Sequence, residues 1–403
     1  MDPLHLAGDL NLAGDLDSDI DTLRRRGWLK WTMFPEAIGA FVAEMDFGTA
    51  PPVSTALHAA VDAGSFGYLP SALSDAMSEA YAAFSRDRYG WAVEPADVRP
   101  VADVVQALVL AIEHFSAPGG PVVLPTPAYM PFLSVPPRLG REVRQVPLVE
   151  VGGRPGYDLA ALDAALAATD GGLLVLCNPH NPVGRVLEPS ELLAIAEVVQ
   201  RHGARVFADE IHGPLVYPGH RHVPYASLSP LTAGHTLTAT SASKAWNLPG
   251  LKCAQVVLSN DADRETWARV GMLAEHGAAN LGVVASTAAY AEGRRWLAEV
   301  LDHLDGTRAL LAGWVAELLP GVRYTPPEGT YLAWLDFRAT GPAEPAPHFL
   351  AKAGVAMIDG ALCGEAGRGF ARLNFATPRA VLRQAVEQIA AATDPARDRL
   401  SPS

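Results

Sequence analysis

Three apolar runs in this chain each end in a short polar group. Leu173–Cys177 is followed by Asn178-Pro179-His180-Asn181-Pro182-Val183-Gly184. Arg205–Ala208 is followed by Asp209-Glu210-Ile211-His212. Thr236–Ala239 runs into Ser241-Ala242-Ser243-Lys244. If one scaffold carries all three, an amide, a carboxylate and an amine meet at one place. The amine stands out by its rarity. Of 31 basic residues only four are lysine (Lys30, Lys244, Lys252 and Lys352), and the other 27 are arginine. Arginine stays charged and cannot do amine chemistry, so each retained lysine needs a reason.

The scaffold is legible in the alternation around these groups. Helical periodicity covers Ser71–Ser85, Val104–Phe115, Leu159–Ala168 and Pro189–Arg201. Between the helices lie short β-rich runs at Pro121–Leu124, Leu173–Cys177, Arg205–Ala208, Thr236–Ala239 and Ala254–Leu258. Continuous apolar strands alternating with helices predict an α/β fold with a mostly parallel central sheet sandwiched by helices. Ligands in such sheets sit beyond the carboxyl ends of the strands, which places all three polar groups on one rim. The pattern changes near residue 280. Long helical periodicity from Val283 to Leu319 precedes strand-like pieces at Thr330–Leu335 and Phe370–Phe375 and a last helix near Arg379–Ala392. The expected division is a large domain over 47–282 and a smaller α+β domain over 283–403, with residues 1–46 as an arm and a segment joining the small domain. The repeat LAGDL at Leu6–Leu10 and Leu12–Leu16 reads as a mobile arm or one lying on a partner subunit, and Asp394–Ser403 reads as a disordered tail.

Composition removes several classes. The chain has 403 residues and a net charge of −13, which disfavours nucleic-acid binding. A 49% hydrophobic content supports a large core. No apolar stretch reaches the ~20 residues needed to span a bilayer, and no secretory signal is visible. Cys177, Cys253 and Cys363 are too few for a disulfide framework and too scattered for a zinc site, so a soluble cytoplasmic protein is expected. His220 and His222 form a pair without a third ligand, and no metal site is expected.

Eight motifs in order carry a family resemblance: Phe41-Val42-Ala43-Glu44-Met45-Asp46-Phe47, Phe66-Gly67-Tyr68, Pro127-Ala128-Tyr129, Asn178–Gly184, Asp209–His212, Ser241–Cys253, Glu328-Gly329-Thr330-Tyr331 and Arg372-Leu373-Asn374. In combination the chain resembles the fold-type I enzymes dependent on pyridoxal 5'-phosphate (PLP), and within them the MalY/PatB-type cystathionine β-lyases. The resemblance implies that Lys244 forms the Schiff base with the cofactor and later serves as base at the substrate Cα. It implies that Asp209 pairs with the pyridinium nitrogen, that Asn181 donates to the ring oxygen and that Tyr129 stacks on the ring. His212 would tune the cofactor oxygen or simply pack. Ser241, Ser243, Lys252 and the N–H groups of Val104 and Val105 would cup the phosphate, joined by Tyr68 from a partner subunit. Arg372 would clamp the substrate carboxylate with help from the backbone at Val42 and Ala43. The tyrosine requires a homodimer.

The implied reaction is α,β-elimination from cystathionine or another S-conjugated cysteine, giving thiol, pyruvate and ammonia. Aminotransfer to a small keto acid uses the same lysine and stays open. So do decarboxylation-coupled oxidative deamination of an S-glycosylated cysteine in antibiotic biosynthesis, and a MalY-like regulatory role. Three departures from the family pattern point to a specialised substrate. Asp103 stands where the family has glycine before the phosphate helix, placing a charge that repels phosphate unless it points away. Phe41 and Glu44 replace a tryptophan and an aspartate on the expected substrate side.

Overall fold

The computed structural model describes residues 16–169 and 171–393. Most of the LAGDL repeat and the whole Asp394–Ser403 tail lie outside them. The central sheet has seven strands: β1 (Val98–Val101), β2 (Val122–Thr126), β3 (Val143–Pro147), β4 (Leu173–Cys177), β5 (Arg205–Asp209), β6 (Thr236–Thr240) and β7 (Ala254–Leu258). Their order is β1-β7-β6-β5-β4-β2-β3. Only β7 runs antiparallel to its neighbours.

Both faces of the sheet are covered, which is why the inner strand β4 reads as an unbroken apolar run. Alternate residues point to opposite sides. Leu173, Val175 and Cys177 join Phe207, Leu237 and Val256 against the Val104–His114 helix. Leu174 and Leu176 join Val206 and Ala208 against the Leu159–Ala167 and Pro189–Arg201 helices.

A second, four-stranded sheet contains β8 (Arg323–Tyr324), β9 (Leu332–Asp336), β10 (Ile358–Asp359) and β11 (Phe370–Asn374), in the order β8-β9-β11-β10. Residues Ile38–Gly39 pair in parallel with Val355–Ala356, so the N-terminal segment is stitched to this part of the chain.

The long helical pattern after Val283 resolves into two helices, Asn280–Glu292 and Arg294–Leu318. Gly293 separates them. Its carbonyl accepts from the Trp246 indole N–H at 2.9 Å, and a Cβ there would collide with that indole. Periodicity cannot register a break imposed by a distant ring. Strands β1 and β3 also escaped the sequence pattern. Both are edge strands, and they carry Pro100, Arg99 and Arg144.

Candidate active site

Strands β4, β5 and β6 are adjacent and parallel, with Cys177 opposite Asp209 and Asp209 opposite Ala239. That register brings the turns bearing Asn181, Asp209 and Lys244 to one rim.

Asp209 closes β5 and is 4% exposed. Its carboxylate accepts from the Ile211 N–H at 3.0 Å. Burial pushes its pKa up to about 7, with the Glu210 charge adding and the Ile211 bond and Lys244 opposing. A buried acid paired with no cationic side chain suits a ligand that brings a positive N–H of its own. Lys244 donates to the Ala43 carbonyl at 2.9 Å. Burial, with the Arg372 charge adding and Glu44 and Asp209 opposing, brings its pKa down to about 8. A larger share of the amine than for an ordinary lysine is therefore neutral near physiological pH, as a nucleophile or base requires.

Arg372 stands on β11, in the second sheet. Its Nη1 donates to Asn181 Oδ1 at 3.1 Å and its Nη2 to the Phe41 carbonyl at 2.9 Å. Its buried Nε has no partner. A buried guanidinium with an unused donor is equipped to bind a carboxylate. His212 is buried, with Nδ1 unpartnered and its ring edge-on to Tyr331. Burial drives its pKa to about 3, so it is neutral. Tyr129 is half-buried at the start of the Met130–Arg138 helix, against Phe132.

The expected phosphate cup lies at the N-terminus of the Val104–His114 helix, where Val104 and Val105 are the first residues. Asp103 caps this helix, its Oδ1 accepting from the Gln106 N–H at 2.8 Å. Its other oxygen meets Lys252 Nζ at 2.9 Å. The carboxylate therefore faces the basic residue of the cup and partly neutralises it. Ser241 donates to the Cys253 carbonyl at 2.7 Å and accepts from the Ser243 N–H at 3.0 Å, so it organises the turn before Lys244.

Phe41 to Asp46 form an irregular strap across this site. The Phe41 ring packs with Phe34, Ala37 and Ala356, and its carbonyl accepts from Arg372. Asn374 Nδ2 donates to the carbonyls of Val42 (2.7 Å) and Glu44 (2.6 Å). The Tyr331 hydroxyl joins Lys244 on Ala43 O, at 2.9 Å. Sequence reasoning gave Tyr331 and Asn374 no role, although their motifs were visible, because their partners are backbone carbonyls. Tyr68 is 93% exposed and lies far from burial on its own chain. His220 and His222 sit beside carboxylates, His222 at 3.2 Å from Glu210 and His220 at 3.8 Å from Glu328.

A half-buried amine, a buried acid and a buried guanidinium at the rim of a mostly parallel α/β sheet are the arrangement of a fold-type I enzyme. The chain belongs to the aminotransferase class I and II family, which matches it over residues 42–389. It is 39% identical over 377 residues to a cystathionine beta-lyase of Corynebacterium glutamicum, covering 92% of this chain and 98% of the relative. It is 33% identical over 362 residues to cystathionine beta-lyase PatB of Bacillus subtilis, covering 89% and 92%. Among solved structures, a putative PLP-dependent beta-cystathionase from Corynebacterium diphtheriae superposes with a TM-score of 0.88 at 39% identity, covering 93% and 98%.

Proposed function

We propose that the protein is a PLP-dependent C–S β-lyase that cleaves cystathionine or another S-conjugated cysteine to thiol, pyruvate and ammonia. One observation carries the reading. The Lys244 amine, with its pKa brought down to about 8, stands on the sheet rim that bears the buried Asp209, within electrostatic reach of it and of the buried Arg372. The residues fit the cofactor: Asp209 offers a carboxylate lacking a cationic partner, and the capped helix with Lys252 offers a phosphate seat. When bound, PLP draws electrons from the substrate Cα and so makes its proton removable. Arg372 would hold the α-carboxylate, Asn181 would keep Arg372 aligned, and Lys244 would take the Cα proton. Tyr331 and Ala43 would hold that amine in place. The choice of elimination over aminotransfer is supported by relatives of 39% and 33% identity whose names are those of lyases.

The proposed assembly is a homodimer in which Tyr68 completes the partner's phosphate site. Phe66 (69% exposed), Tyr68, Met272 and Leu273 (both 75%) leave an apolar surface that a second copy would cover. The division into a 47–282 domain and a 283–403 domain, joined by the N-terminal segment, is part of this reading. So is a cytoplasmic setting, supported by three free, buried cysteines. Among the described residues no helix is long and apolar enough to cross a membrane.

The test is incubation with cystathionine, following pyruvate, thiol and amine transfer. Pyruvate with thiol in the absence of a keto acid is the expected result. A strict requirement for a keto acid would overturn elimination.

A further inference from the structure

Lys30 is a lysine that the proposed chemistry leaves unused, yet it is wholly buried at 0% exposure. Its ammonium has three acceptors for three hydrogens: Asp46 Oδ2 at 2.8 Å, the Ala376 carbonyl at 3.3 Å and the Glu44 carbonyl at 3.4 Å. Asp46 is equally committed. Its Oδ1 accepts from the Trp31 indole at 2.8 Å, its N–H donates to Ala376 O at 3.0 Å, and its carbonyl accepts from Arg26 at 2.7 Å.

Burying an ion pair is a poor route to stability, since apolar residues of similar volume do as well or better. What the pair supplies here is direction. The strap has two ends with different anchors. The Phe41 end is held by β pairing, through Ile38–Gly39 on Val355–Ala356 and the Ala40 N–H on Ala356 O at 2.8 Å. The Glu44–Asp46 end hangs on Lys30, Asn374 and the Asn247 side chain, which brackets Met45 through bonds of 2.9 Å to its N–H and its carbonyl. Glu44 O, which Lys30 holds, is one residue from Ala43 O, which holds Lys244.

We propose that Lys30 is a positioning residue: locked on Asp46, it fixes the Ala43 carbonyl and thereby the place from which the Lys244 amine takes the Cα proton. This rests on the reading of Lys244 as the base. Because Arg372 is tied to the other end of the strap, loss of Lys30 acts on proton transfer more than on carboxylate binding.

The experiment compares PLP-loaded wild type, Lys30→Met and Lys30→Met/Asp46→Asn. It measures thermal unfolding, bound cofactor by absorbance, KM, and exchange of the substrate Cα proton with deuterium in D2O. Lys30→Met alone strands a buried carboxylate and is expected to lose stability. The double variant removes both charges and is expected to regain most of that stability and its full cofactor content. Its Cα exchange is expected to stay at least tenfold slow, with KM changed less than threefold. A double variant that exchanges at the wild-type rate would overturn the proposal alone, as would a loss that simply follows cofactor content. Absence of exchange in the wild type would overturn the base assignment, and this proposal with it.

Discussion

The lowered pKa of Lys244 implies that the active site weakens the fold, and replacing Lys244 by methionine measures by how much. The amine goes from an ordinary 10.5 to about 8 in the folded chain, with burial as the main cause. Each tenfold change in proton affinity is about 1.4 kcal/mol, so keeping the amine charged below pH 8 costs the fold at most about 3 kcal/mol. The Lys244 residue is only partly buried, and solvent screening reduces this to roughly 1–2 kcal/mol. The sign follows from the unfolded chain binding the proton more tightly. The cost is complete below pH 8, shrinks as pH rises from 8 to 10.5, and is absent above. Methionine keeps the length and apolar character of the stem. It loses the hydrogen bond to Ala43 O, but the Tyr331 hydroxyl still satisfies that carbonyl. Cofactor-free Lys244→Met is therefore expected to resist urea better than cofactor-free wild type at pH 6.5, by about 1 kcal/mol at equal protein concentration. The gain should fade towards pH 10.5. A variant no more stable than wild type at pH 6.5, or a gain that does not vary with pH, would refute the argument.

Other outcomes follow from the site. Arg372→Lys keeps a charge but loses the planar fork, so KM for the amino acid should rise ~10- to 100-fold, from ~1.5–3 kcal/mol of charge-assisted hydrogen bonding; an unchanged KM would exclude Arg372 as the clamp. Asp103→Asn retains the helix cap and frees Lys252, so the PLP dissociation constant, read by absorbance titration, should fall several-fold. Mixing inactive Lys244→Ala chains with Tyr68→Ala chains should restore about a quarter of the wild-type sites, because a hybrid dimer holds one intact site; no recovery after subunit exchange would contradict sharing of Tyr68.

What the sequence discloses depends on where a residue's partners lie. The runs Leu173–Cys177 and Ala254–Leu258 and the helix Pro189–Arg201 are found at the residues the pattern indicates, since burial on both faces or a proline start fixes their limits. Asn181, Asp209 and Lys244 were legible because chemistry demands their side chains at strand ends. Arg372 was reached through its motif. Lys30, Tyr331 and Asn374 were not assigned, because each bonds to a main-chain oxygen of a segment with no regular structure. The Asp103–Lys252 contact joins residues 149 positions apart, and neither local spacing nor charge counting brings them together.

The strap of carbonyls has an evolutionary consequence. A peptide oxygen is the same whatever side chain follows it, so the hydrogen bonds that hold the amine and the guanidinium do not themselves specify the residues between Phe41 and Met45. Packing still constrains Phe41, Ala43 and Met45, which are buried, and the Glu44 charge acts on the Lys244 amine, so the half-buried Val42 has the most latitude.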